Sequence, residues 1–298
     1  MKTFLYRTLP KDYQGEIYLW DVDKTYLNTE FESIWGLLKI FFEASIDKKS
    51  IPGTTELLLE LRRGVETEIG IHPIYFISAS PVWLKKILEG KFLVDGVQHD
   101  GITLKDYVRF WKFYRVLPLK NNFAYKLLSL LVHRQLMPKG ATETLFGDDF
   151  EYDAHVYSLY ADMIEGKMDL NHLEETLKTQ GVKNILRKAI LKEARKFLTE
   201  NDFSKQPIVN HIFIYMIRHT DLHVFKQFPR VIPTRNYIQT AAILYEKKRI
   251  SKKGFQRVAN AFELRYPKNQ WSLNSSLLEL EDRGLISQAT SSDLRFWK

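Results

Sequence analysis

Asp21 and Asp23 stand one residue apart, directly after the apolar run Ile17-Tyr18-Leu19-Trp20, and Thr25 follows two residues later. Two carboxylates this close repel each other, and both lose hydration if the site is enclosed. A bound cation, or a reaction that uses both groups, is the compensation such a pair requires. Two later stretches also deliver polar residues from apolar runs. "IYFISAS" brings Ser78 and Ser80, and "ATETLFGDD" brings Asp148 and Asp149, with Asp153 close behind.

The elements that position these residues follow from periodicity. "EIYLWDV", "HPIYFISAS" and "ATETLFGDD" read as buried strands. "TEFESIWGLLKIFFEA", "TTELLLELRRGVE", "PVWLKKILEGKF", "FAYKLLSLLVHRQL" and "EYDAHVYSLYADMIEG" have helical spacing, with Pro81 as a first-turn residue and Ser80 as a helix cap. Strands alternating with helices predict an α/β fold, a mainly parallel Rossmann-like sheet with helices on both faces. In such sheets sites lie beyond the carboxyl ends of the strands. The three polar clusters therefore converge on one sheet edge.

The chain has 298 residues, of which 45% are apolar, enough for a real core. It has no cysteine, which excludes disulfides, thiolate nucleophiles and Cys-based zinc sites. No secretory signal is apparent, and the most apolar run, "IVNHIFIYMI", is ten residues long and includes Asn210 and His211. A spanning helix needs about 20 apolar residues. The expectation is a cytoplasmic protein, at most peripheral to a membrane. The net charge of +8 is uneven: residues 1–168 hold 21 Lys+Arg against 23 Asp+Glu, and residues 169–298 hold 23 against 13. The second half reads as helical, with a break near Gly181 and three further helices in "NYIQTAAILYEKKR", "SKKGFQRVANAFELRY" and "NSSLLELEDRGLI". The division is thus an α/β domain over 1–168, which carries the three polar clusters, and a basic, mainly α-helical region over 169–298.

Asp-Val-Asp-Lys-Thr resembles the DxDxT signature of the haloacid-dehalogenase-like (HAD-like) phosphohydrolases. That resemblance implies Asp21 as nucleophile, forming an aspartyl-phosphate, and Asp23 as general acid and base. Ser78 matches the second motif and would donate its hydroxyl to a phosphoryl oxygen. The third motif is a lysine, with Lys126 preferred and Lys120 the alternative. "LFGDDFEYD" matches the fourth, in which Asp148 binds Mg2+ with Asp21 and the backbone carbonyl of Asp23. Either Asp153 or Asp149 completes or supports that shell. Oxygen ligands suit Mg2+.

Residues 15–165 are similar, block by block, to the actin-patch-type phosphatidate phosphatase catalytic domain. "IYFISASPVWLKKIL" matches its strand and "SNSPWQL" segment, "DGITLKDY" its "GPLLLRDY"-type segment, and "YKLLSLLVHRQLMPKGATETLFGDDFEYDAHVY" its lysine helix, strand and acidic ending. The chain departs from that pattern at Lys24, where the family commonly has an acid, and at Ala154, where it has proline. The resemblance implies a phosphorylated substrate, with phosphatidate or another lipid phosphate at a membrane surface as the guess.

Other residues carry less. His219 and His223 are four apart, with no carboxylate partner in the sequence, and no P-loop or GxGxxG is present. "RFWKFYRVL" interleaves aromatic and basic residues and reads as a partly buried amphipathic segment. The alternative to an enzyme is a binding or regulatory protein on a phosphatase-like scaffold, whose basic second half binds nucleic acid or an acidic surface, with "NSSLLELEDRGLI" as the third helix of a winged-helix-like unit.

Overall fold

The apolar runs of the first half become parallel strands, and the second half adds two more. The computed structural model describes residues 6–27, 50–65, 71–106, 122–150, 152–200, 207–218, 220–265 and 272–295. Its strands are β1 (Glu16–Asp21), β2 (Ile74–Pro81), β3 (Gly101–Lys105), β4 (Thr142–Asp148), β5 (Val209–Tyr215) and β6 (Val231–Thr234). They form one sheet of order β3-β2-β1-β4-β5-β6, parallel throughout. The helices are α1 (Thr54–Arg63), α2 (Lys85–Val94), α3 (Asn122–Leu136), α4 (Asp153–Ile164), α5 (Leu170–Thr179), α6 (Asn184–Glu200), α7 (Tyr237–Glu246), α8 (Lys252–Arg265), α9 (Leu273–Asp282) and α10 (Gln288–Arg295). The expected helix within 28–49, Lys120, His219 and "RFWKFYRVL" lie outside the described residues.

Strand β1 is buried on both faces because successive side chains point to opposite sides. Ile17 and Leu19 join a core lined by α3, α4, α5 and α6. Tyr18 and Trp20 join a second core lined by α1, α2, α7, α8, α9 and α10. Each large apolar side chain buried there contributes roughly 1.5–3 kcal/mol. The chain runs outward from β1 through β2 to β3, then returns to place β4, β5 and β6 on the other side. The strand order reverses between β1 and β4, and in open parallel sheets this is where a crevice forms.

The second half is mainly helical, with α7, α8 and α9 on the three expected stretches, but it also supplies two strands. "IVNHIFIYMI" contains β5, with Ile212 and Ile214 facing one core and Phe213 the other, and β6 follows it. Period-2 packing on an existing sheet explains this run, which is too short for a stable helix of its own. Pro233 is tolerated because β6 is an edge strand, where a missing N–H costs no ladder bond. The sheet thus continues across residue 168. Buried Glu16 of β1 reinforces this: it accepts from Asn210 at 3.1 Å and pairs with Arg249 at 2.6 Å. Glu60 of α1 holds Arg257 of α8 through two bonds of 2.7 and 2.8 Å. The break near Gly181 is present between α5 and α6, and Gly181 takes the left-handed conformation (φ 66°) there.

His133 of α3 is fully buried against the rings of Tyr6 and Tyr75, at 5.3 and 5.0 Å. Burial holds its pKa down to about 3, from an ordinary 6.5, with Arg134 adding to the effect. The folded state therefore binds this proton later than the unfolded state as pH falls. Stability is full above about pH 6.5 and is lost from this group at about 1.4 kcal/mol per pH unit below it. Denaturant titrations of wild type and His133→Phe from pH 7.5 to 4.5 should show the variant with a correspondingly shallower acid slope. Equal slopes would remove His133 from the account.

Candidate active site

The register of the sheet brings the aspartates together. Trp20 pairs with Phe146 across β1 and β4, so Asp21, the next residue of β1, comes level with the end of β4. The Trp20 and Phe146 rings stack at 4.0 Å, and Phe146 stacks in turn on Phe213 of β5. This aromatic layer fixes the height of the strand ends. Asp21 and Asp148 are both buried there, and Asp153 begins α4. One carboxylate oxygen from each of Asp21, Asp148 and Asp153 lies within 4.8 Å of the others.

Lys126 of α3 reaches into this group. Its Nζ is 3.0 Å from Asp21 Oδ1 and also pairs with Asp153 Oδ1. Lys126 and Asp21 are each 2% exposed, and Asp153 is not exposed at all. Three carboxylates against one ammonium leave an excess of negative charge out of water. Such an excess is costly unless a cation offsets it. Hard oxygen donors in this number suit Mg2+ or a similar divalent ion. The donor set therefore fits the metal expected from the sequence.

Asp148 and Asp153 are also oriented by hydrogen bonds. Asp148 accepts from Thr25 Oγ1 at 3.2 Å and from the Phe150 amide at 2.7 Å. Asp153 accepts from the Asp148 amide at 3.2 Å. The Thr25 carbonyl oxygen in turn accepts from the Tyr237 hydroxyl at 2.6 Å. The Tyr237 and Tyr157 hydroxyls are pushed well above their usual range, mainly by burial, so both stay protonated donors. Gly147 permits the close approach of α4: a Cβ there would sit 2.7 Å from the Cβ of Asp153.

Asp23 is held apart from this group. Its Oδ2 accepts from Ser78 Oγ at 3.0 Å and from Ser80 Oγ at 2.8 Å, while Ser78 Oγ accepts from the Ser80 amide at 2.9 Å. Ser80 is therefore not the helix cap expected from the sequence. Strand β2 continues through Pro81, which pairs with Lys105, and a short 3-10 turn over Val82–Leu84 precedes α2. Residues 78 and 80 are two apart in a strand and point the same way, a signal that was present in the "SAS" spacing. Thr25 and Tyr237 also went unassigned. Tyr237 has no sequence signal, since only tertiary packing brings α7 to β1.

Asp149 does not join the carboxylate group. It accepts from the amides of Ile217 at 2.7 Å and Arg218 at 3.0 Å and from Thr220 Oγ1 at 2.7 Å, and so anchors the loop after β5. Asp153 occupies the place for which both were candidates. Lys24, between Asp23 and Thr25, has a left-handed backbone (φ 59°) in a turn where its amide donates to Leu27 O at 2.9 Å. A non-glycine residue pays about 1–2 kcal/mol for that conformation.

Two outcomes check this geometry. Gly147→Ala should displace Asp153 and destabilise the fold by about 1–3 kcal/mol in denaturant titration, as overpacking does. Mg2+ should raise the thermal midpoint of the wild type by mass action, and Asp148→Asn should remove that rise. A wild type indifferent to Mg2+, Mn2+ and Ca2+ alike would discard the metal centre. No protein-family model matches the chain, and no curated protein or solved structure matches it.

Proposed function

We propose that the chain is a Mg2+-dependent phosphomonoesterase of the HAD-like kind that works through an aspartyl-phosphate on Asp21. The observation that carries this reading is the division between the two aspartates. Asp21 is grouped with Asp148, Asp153 and Lys126, whereas Asp23, two residues on, turns its carboxylate to Ser78 and Ser80. A nucleophile needs a site where phosphoryl charge is neutralised, and an acid–base group needs a carboxyl kept outside that site so that it can exchange a proton with the substrate oxygen.

In the first step Asp21 attacks phosphorus in line, and the bond from phosphorus to the ester oxygen breaks. Asp23 gives its proton to the departing alcohol. Asp23, now a carboxylate, takes a proton from water, which attacks the phosphorus of the acyl phosphate and releases inorganic phosphate. Lys126 keeps the Asp21 oxygen oriented and offsets charge on the phosphoryl oxygens. Ser78 exchanges its bond to Asp23 for one to a phosphoryl oxygen. Asp21, Asp148 and Asp153, with the Asp23 backbone carbonyl, are the residues that would hold Mg2+, and the ion supplies charge neutralisation and a clamp on the phosphoryl group.

The substrate class rests on resemblance alone, and on that ground phosphatidate or another lipid phosphate is the first to try. A cytoplasmic protein that meets its substrate at a membrane surface fits this reading. No helix among the described residues is long and apolar enough to cross a membrane. No observation favours the nucleic-acid reading. Arg230, Arg235, Arg249, Arg257, Arg283 and Arg295 each pair with a carboxylate of the same chain, which accounts for part of the basic excess.

The proposal is tested by release of phosphate from p-nitrophenyl phosphate with and without Mg2+. Wild type should be active only with the metal, and Asp21→Asn should lower kcat by at least about a thousandfold, as expected for loss of a nucleophile. Undiminished turnover in Asp21→Asn would reject the mechanism.

A further inference from the structure

We infer that Ser80 is a positioning residue for Asp23, and that its hydroxyl makes Oδ1 of Asp23 the oxygen that hands a proton to the leaving alcohol. This rests on the phosphomonoesterase reading of the Asp21 site. It goes beyond that reading by giving a task to a side chain that the sequence presents only as a helix cap.

Asp21 pairs with Ile77 across β1 and β2, so the chain just past Asp21 runs beside Ser78 and Ser80. These two serines share one side of β2 and donate to a single atom, Asp23 Oδ2, at 3.0 and 2.8 Å. The Ser80 amide donates to Ser78 Oγ at 2.9 Å. A hydroxyl has one hydrogen, and with the amide on its oxygen Ser78 turns that hydrogen to Asp23. The register of β2 against β3 shifts between Ile77 and Pro81, an irregularity of the kind that re-aims side chains beside a site. Past the shift, Pro81 pairs with Lys105, and the fixed φ of proline holds the backbone directly after Ser80. Ser80 is thus anchored on both sides, by its amide before and by Pro81 after.

Turnover separates the two serines. Ser78 has to release Asp23 in order to donate to a phosphoryl oxygen, because its one hydrogen cannot serve both. Ser80 keeps its bond to Oδ2. In a neutral carboxyl the oxygen that accepts such a bond is the carbonyl oxygen, which puts the proton on Oδ1. The bond from Asp21 to phosphorus forms, and the bond to the ester oxygen breaks with its electron pair on that oxygen. The Oδ1 proton passes to the same oxygen. Ser80 then donates to the carboxylate that is left, until Asp23 takes a proton from water. A carboxyl without this bond can turn about its last torsion and present either oxygen, at a step where geometry governs the rate. The need for an aimed proton is greatest for alcohols, whose oxygen leaves poorly without one, and least for acidic phenols.

The test is kcat/KM of the full-length protein with Mg2+ on p-nitrophenyl phosphate, phenyl phosphate and benzyl phosphate, whose leaving oxygens are increasingly basic. This ratio compares the transition state with free enzyme and ester, and so covers departure of the leaving group. Ser80→Ala should lose about threefold on p-nitrophenyl phosphate and about a hundredfold on benzyl phosphate, with phenyl phosphate between them. Ser80→Thr keeps the hydroxyl and should recover most of the activity on benzyl phosphate. Ser78→Ala should lose one common factor on all three esters, because its contact is to the phosphoryl group they share. Comparing esters within one variant cancels any difference in how much of that variant is folded. One common factor for Ser80→Ala, a Ser80→Thr no better than Ser80→Ala, or leaving-group dependence in Ser78→Ala instead overturns the inference and keeps the phosphatase reading. So does a wild type active on p-nitrophenyl phosphate alone, since no aimed proton is then being supplied. A wild type that releases phosphate from none of the three rejects the phosphatase reading, and the inference with it.

Discussion

Lys126 reaches from α3 to Asp21 at the end of β1 and to Asp153 at the start of α4, and all three side chains are withdrawn from water. An ammonium buried with a carboxylate on either side is tolerable only while all the partners stay in place. Removing one partner of such a buried pair costs about 3–5 kcal/mol, because the charge left behind has no water to replace it. That penalty ties together a strand and two helices on the same face of the sheet. It also leaves the carboxylate group one cation short of balance, and this shortfall is the physical basis for expecting a divalent ion.

The place where this happens is set by strand order. The sheet reverses its winding between β1 and β4, so the loops that follow these two strands leave in opposite directions. Asp21 and Asp148 sit on either side of the opening. The stacked rings of Trp20, Phe146 and Phe213 beneath them fill the layer under the crevice. Tyr237 continues that layer from the second half of the chain, stacking on Tyr215 and bonding the carbonyl of Thr25. The two halves therefore share one sheet and one floor. A change in α7 would be felt at the aspartates through Tyr237 and Thr25, although no residue of α7 belongs to the carboxylate group.

The sequence carried more of this than its local patterns alone would suggest. The three strands that end in polar residues were legible because apolar runs of that length, bounded by turns, have few other uses, and the carboxyl edge follows from parallel pairing. Lys126 was legible as one of two lysines, through the helix that precedes β4. Asp153 was legible as one of two acids. The choice between Asp153 and Asp149 was out of reach because both follow the same strand. It depends on which carboxylate the loop after β5 draws away, and that loop lies about 70 residues further along the chain.

Local pattern failed where a partner from far along the chain decides the outcome. "IVNHIFIYMI" is too short to announce itself, and it becomes β5 only because β4 offers an open edge for it to pair with. Ser80 looked like a cap because Pro81 follows it, but the strand runs on and Asp23 accepts the hydroxyl instead. The residue types and their order along the chain determined that an acidic, oxygen-rich site would form at the end of a parallel sheet. Tertiary structure alone decided which acids are brought together and which one is held apart by serines. Those outcomes depend on distances between segments that share no local sequence, and only the closed core brings such segments within a hydrogen bond of each other.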